Sequence, residues 1–140
     1  MLETERDDAK KTITFQAIGH VENEFDEPET ASVIRAARSR IILQPDLTPG
    51  LQGIEPDEEL MVIFYFDRSE GYELLQHPCG DPEYEVRGVF ALRSPNRPNP
   101  IGVTTVELLA IEDNILHVRG LDAINGTPVL DLKLVDLKLE

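Results

Sequence analysis

Polar and apolar residues alternate with a period of two along residues 12–19, which predicts a half-buried strand. Residues 39–43 read as a second short strand. Residues 60–66 form a continuous apolar run whose length and aromatic content favour a buried strand over a helix. Strand patterns return over residues 83–92, 102–112 and 115–119, and residues 129–134 close the set. Asp113 and Asn114 join two of these as a two-residue turn, which predicts a hairpin. Only residues 31–38 suggest a helix, of one or two turns. Many short strands without a strand–helix–strand rhythm predict a mainly β fold, a closed or nearly closed single-domain barrel with one or two short helices. Residues 12–140 are expected to form that domain, behind a charged lead-in at residues 1–11.

Between the strands the chain is punctuated. Residues 22–30 are acidic and turn-prone. Residues 44–54 hold Pro45, Pro49, Gly50 and Gly53, and residues 71–82 hold Gly71, Pro78, Gly80 and Pro82. The most informative punctuation is residues 93–102, where Pro95, Pro98 and Pro100 alternate with Arg93, Asn96, Arg97 and Asn99. Proline fixes φ, lacks an N–H and pushes the preceding residue out of the helical region. Ser94, Arg97 and Asn99 must therefore be extended or turn-like. A loop stiffened in this way loses little entropy when a ligand docks, and its guanidiniums and carboxamides suit anions, carbonyls and base edges.

Composition narrows the partners. The 140 residues carry 27 acidic and 13 basic side chains, a formal charge of −14. That disfavours broad, nonspecific nucleic-acid binding, which needs clustered bases. A local basic site is still available if the fold gathers some of Arg35, Arg38, Arg40, Arg68, Arg87, Arg93 and Arg97 around one cleft. No apolar run is long enough to span a bilayer, and residues 1–11 do not resemble a signal peptide. The single Cys79 allows no internal disulfide, and a cytoplasmic location is expected.

Familiar nucleotide and nucleophile motifs are absent: there is no GxGxxG, no phosphate-binding P-loop and no GxSxG elbow. His20, His77 and His117 lack metal-ligand spacing, so no metal is expected. Three carboxylates attract attention. Asp122 is expected at a strand end just before the Asn125–Gly126 turn signal. Asp131 sits within an apolar strand and should need a partner, for which an arginine of the proline-rich loop is the natural choice. Asp67 and Arg68 follow the apolar run directly and could line a pocket or simply end a strand in solvent.

The run from Arg87 to Gly102, and the block from Gly120 to Lys133 with its Asn125-Gly126-Thr127-Pro128 turn, resemble the two signatures of the TsaA-like family, also called TrmO. The segment Phe15 to Gly19 is similar as well, so the resemblance covers nearly the whole chain. It implies a β-barrel S-adenosylmethionine-dependent methyltransferase, homodimeric, with the cofactor near the subunit interface. The acceptor it implies is N6-threonylcarbamoyladenosine beside the anticodon of tRNA. By the same resemblance Asp67, Arg68, Arg93, Val103, Asp122, Ala123, Ile124 and Asn125 are cofactor-facing. Arg97 and Asn99 would shape the substrate side, and Asp67 is the candidate catalytic base.

The chain also departs from the family pattern. Glu59 and Asp67 stand where many members carry histidine. Asn125 replaces a usual aspartate, and Leu134-Val135 follows Lys133 where Pro-Tyr is usual. Longer bacterial members carry an extra C-terminal domain, whereas the sequence here ends at Glu140. Three readings stay open in this order: the tRNA methyltransferase, a methyltransferase of the same fold on another acceptor, and a non-catalytic S-adenosylmethionine-binding module.

Overall fold

The computed structural model describes residues 11–29 and 31–139. Six antiparallel strands close a barrel in the order β1-β2-β7-β6-β3-β8. They are β1 (Gly19–Glu22), β2 (Arg38–Leu43), β3 (Glu59–Tyr65), β6 (Ile101–Glu112), β7 (Ile115–Arg119) and β8 (Pro128–Leu134). Two-residue strands β4 (Leu75–Gln76) and β5 (Arg87–Gly88) pair with each other in an arm outside the barrel. The helix α1 (Ala31–Ala36) precedes β2. No helix among the described residues is long and apolar enough to cross a membrane.

Period two explains the interior. In β3, Leu60, Val62 and Phe64 are buried while Glu59 and Tyr65 face out. In β7, Leu116 and Val118 are buried between more exposed neighbours. Val21, Ile41, Val106, Leu108 and Val129 complete the filling from the other strands. Closure leaves no long open edge, which is how a small antiparallel sheet avoids pairing with other chains. The β6–β7 hairpin forms at the expected turn, with Asp113 in the left-handed region at φ 54°.

Three expectations are corrected. Residues 12–17 pair with no strand; the Ile18 amide donates to the Val129 carbonyl, the first ladder begins at Gly19, and Ile13 and Phe15 are each 67% exposed. On this side β8 is paired only at Pro128 and Val129, and the alternation before Gly19 finds no strand in register with it. Within residues 83–92 only Arg87 and Gly88 pair, and Val89–Ala91 turns as a short 3-10 segment. The arm offers just two residues of partner strand, so the pattern has nothing longer to pair with. Asp131 meets no arginine: its carboxylate lies 3.2 Å from Lys133 Nζ and accepts from the Leu132 amide. It is half-exposed on the outside of the barrel, so water removes the need for a buried partner.

Antiparallel pairing brings several connections to one end of the barrel. Each barrel strand is antiparallel to both neighbours, so β1, β3 and β7 end where β2, β6 and β8 begin. The chain leaving β1, the helix before β2, the turn after β3, the proline-rich loop before β6 and the link from β7 to β8 therefore share one rim. At that rim Arg40 donates to Glu22 across the strands and holds its carboxyl below the ordinary value.

Candidate functional site

The rim connections enclose a cleft of about 340 Å³. Its apolar walls are Ile34 of α1, Phe66, Ala123 and Ile124, and its polar edge carries Asp67, Arg68, Ser69, Asn96 and Asp122. A second recess of about 160 Å³ lies beside it, lined by Arg35, Phe64, Arg93, Arg97, Gly102 and Val103. Phe66 and Asp122 belong to both, so the two spaces adjoin across these side chains. Phe66 packs edge-on to the buried Phe64, with ring centroids 5.1 Å apart and planes at 72°. Gly102 lies under both rings: a Cβ there would come within 2.8 Å of each.

Each wall is held by hydrogen bonds that the sequence does not announce. Ser69 Oγ donates to the Pro95 carbonyl at 3.1 Å, and Gln76 Nε2 donates to the Asn96 carbonyl at 2.7 Å. Arg97 folds back on its own loop, donating to the Leu92 and Ser94 carbonyls at 3.1 Å each. The link from β7 to β8 turns at Ile124, where the Thr127 amide closes back on the Ile124 carbonyl. Gly126 at φ 89° supplies the positive φ such a turn needs at its third position.

The cofactor-facing candidates separate by how much of their hydrogen-bonding capacity is already used. Arg68 is engaged with the acidic loop, donating to the Asp26 carbonyl at 2.6 Å and lying 3.5 Å from Glu27. Asp122 lies three residues beyond the end of β7 rather than at it, 3.5 Å from Arg35. Asp67 and Arg93 have no side-chain partner among the described residues, so a carboxylate remains available in the larger space and a guanidinium in the smaller recess. Val103 lines the smaller recess from the start of β6.

Two sequence-predicted residues lie elsewhere. Asn125 lines neither space: its Nδ2 donates to Asp26 at 3.0 Å and its amide to the Phe25 carbonyl at 2.7 Å. Asn99 lines a different groove, with Phe15, Tyr65 and Leu130, which meets the smaller recess at Ile101. Glu59, one of the two histidine replacements, is at the opposite end of β3 from the cleft, on the order of 20 Å along the strand. Sequence reasoning missed Ile34, Phe66 and Ser69 as lining residues and Arg35 as the partner of Asp122. Only Phe66 carried a signal, as the last apolar residue before Asp67.

A small closed β-barrel with a half-apolar cleft at one rim, edged by a few polar groups, defines a small-molecule-binding domain unlike the doubly wound nucleotide folds. Residues 19–135 match the family described as the tRNA-methyltransferase O N-terminal domain. The chain belongs to that family, which bears out both the resemblance and the expected barrel. A probable S-adenosyl-L-methionine-binding protein of Pyrococcus abyssi is 36% identical over 125 residues, covering 86% of this chain and 67% of the relative. An S-adenosyl-L-methionine-binding protein of Archaeoglobus fulgidus is 44% identical over 97 residues, covering 69% and 68%. A crystal structure of TrmO superposes with TM-score 0.72 at 30% identity, over 90% of this chain and 58% of that one. TrmO from Pseudomonas aeruginosa gives 0.67 at 29%, over 90% and 57%. The chain therefore spans little more than half the length of these solved relatives.

Proposed function

We propose that this chain binds S-adenosylmethionine in the rim cleft and directs its methyl group to N6 of threonylcarbamoyladenosine beside the tRNA anticodon. The observation that carries the reading is the meeting of the two signature blocks around Phe66, where Arg93 and Asp122 line one recess. The cleft suits that cofactor. Its volume lies in the usual range for small-molecule sites, roughly 300–1,000 Å³. Apolar faces at Ile34, Phe66 and Ile124 can take a flat ring, and carboxylates at Asp67 and Asp122 can accept from an ammonium or from ribose hydroxyls. The ligand has no phosphate, which accords with the absence of a glycine-rich loop.

When bound, the cofactor supplies an electrophilic methyl group on a positively charged sulfur. The protein's own part is alignment and exclusion of water. Asp122 and the adjoining backbone hold the amino-acid part or the ribose, and Arg93 fixes the other side of the cleft. Arg97 shapes the substrate side by bracing the proline-rich loop. Asp67, whose carboxylate has no side-chain partner among the described residues, takes the N6 proton late in the reaction on this reading.

Replacing Arg93 by alanine is expected to weaken S-adenosylmethionine binding by roughly 1.5–3 kcal/mol, the cost of a charged hydrogen bond. Calorimetric titration measures this, and unchanged affinity in a folded variant would remove Arg93 from the cofactor site. The chain is further proposed to act as a homodimer in the cytoplasm. The arm beyond the barrel supports pairing, since it exposes Tyr72, Leu74, Leu75 and Phe90 at 55–79%. Sedimentation should show a dimer; a monomer at concentrations where cofactor binds rules out a shared site.

A second reading, cofactor binding without transfer, is favoured by the archaeal relatives, which are described only as S-adenosyl-L-methionine-binding proteins, and by Asp67 at a family histidine position. Incubation with methyl-labelled cofactor and threonylcarbamoylated tRNA separates the two. Label in the tRNA supports the methyltransferase. Binding without label moves the assignment to another acceptor or to a sensor.

A further inference from the structure

Asp122, Ala123 and Ile124 lie outside any strand, so no ladder holds the cleft wall that they form. Backbone polar groups in such a wall still need partners. The Ala123 carbonyl finds one far away in sequence: Asn23 Nδ2 donates to it at 2.8 Å. The same nitrogen is 3.1 Å from Ser39 Oγ, a hydroxyl on a residue only 2% exposed. Asn23 Oδ1 accepts from the Phe25 amide at 3.0 Å, and the Asn23 amide donates to Asn125 Oδ1 at 3.1 Å. A carboxamide offers two N–H donors and one carbonyl acceptor, and here all three are used. Aspartate has the shape without the donors, and serine has one donor on a shorter stem. One side chain thus ties together the exit of β1, the start of β2 and the cleft wall, while lining neither recess itself.

We propose that Asn23 is a positioning residue: its carboxamide sets the place of the wall formed by residues 122–124, and through it the affinity of the cleft for S-adenosylmethionine. This rests on reading the cleft as the cofactor site. Asn125 is the second half of the device. It joins the turn after the wall to the same acidic loop through Asn23, Phe25 and Asp26. The loop of residues 23–26 is thereby a bracket rather than a free acidic face.

The test compares Asn23→Ala with Ser39→Ala in the full chain. Both lose a hydrogen bond of the same carboxamide, but only the first releases the Ala123 carbonyl. Two quantities are measured: the dissociation constant for S-adenosylmethionine by calorimetry, set against melting temperature, and the 13C shift of the Ala123 carbonyl without cofactor. Asn23→Ala should bind about tenfold more weakly and shift that carbonyl, and Ser39→Ala should stay within about twofold of the parent with the carbonyl unmoved. Affinity losses that simply track melting temperature in both variants would make the role structural and overturn the proposal. So would a folded Asn23→Ala with parental affinity, or an unmoved Ala123 carbonyl. Should Asn23→Ala not fold, Asn23→Asp carries the same comparison, since it keeps the acceptor and the size but loses the donors. If the parent chain itself does not bind S-adenosylmethionine, the proposed function fails. The carbonyl shift then still decides whether Asn23 holds the wall.

Discussion

Gly19→Ala is expected to cost about 3 kcal/mol or more and to lower the melting temperature by on the order of 10 °C. Gly19 opens β1 and pairs with Leu43 on one side and Val129 on the other. A Cβ at this position would lie 2.3 Å from the Ile42 carbonyl oxygen and 2.9 Å from Leu43 Cα. Both are backbone atoms, so no side chain can swing away to make room, and the strands must part. The position is critical because β1 closes the barrel against β8 through only two residue pairs, Gly19–Val129 and His20–Pro128. Thermal denaturation followed by circular dichroism checks the prediction. A variant melting within about 2 °C of the parent would mean that β1 does not approach β2 as described.

Phe64→Ala is expected to destabilise the chain by roughly 3–5 kcal/mol, the range for emptying a buried aromatic site. Phe64 is 2% exposed and sits where β3 faces both Gly102 of β6 and Val129 of β8. Its second effect separates it from an ordinary core residue. Phe66 rests edge-on against it, and Phe66 is the surface shared by the two recesses. Losing that support should let Phe66 drop into the vacated space, so cofactor affinity should fall together with stability. Urea denaturation and calorimetric titration of the same preparation read both quantities. Phe64→Leu should regain most of the stability and less of the affinity, because a branched aliphatic group fills volume without offering a ring edge. Unchanged affinity in folded Phe64→Ala would show that Phe66 is held in place by something else.

The acidic surface bears on the same assignment. At a formal charge of −14 the chain cannot attract tRNA through its overall field. Local arginines would have to do so, and Arg93 is the cleft arginine whose guanidinium is uncommitted among the described residues. Arg68 and Arg97 are already spent on the acidic loop and on the proline-rich loop. Counting arginines in the sequence therefore overstates the positive charge available to an acceptor.

Features legible in the sequence are those governed by neighbours along the chain. Proline geometry kept residues 93–100 out of any strand or helix. The period of two and the Asp113–Asn114 turn marked the β6–β7 hairpin, and the apolar run at residues 60–66 marked β3 to within one residue. Local pattern failed where a strand needs a distant partner. Residues 12–18 and 83–92 alternate well enough, but strands exist only where a second strand is in register. Asp131 looked buried because its neighbours are apolar, and the outward turn of alternate positions in a closed barrel exposed it. The cleft shows the same division. The two signature blocks can be read in the chain, but only closure of the barrel decides that Arg93 and Asp122 share a recess. Closure likewise puts Asn99 in a different groove and turns Asn125 toward residues 23–26. Backbone sterics and side-chain period act over a few residues and are written in the sequence itself; which loops converge at one rim depends on strand pairing across the whole chain, and that belongs to the tertiary structure.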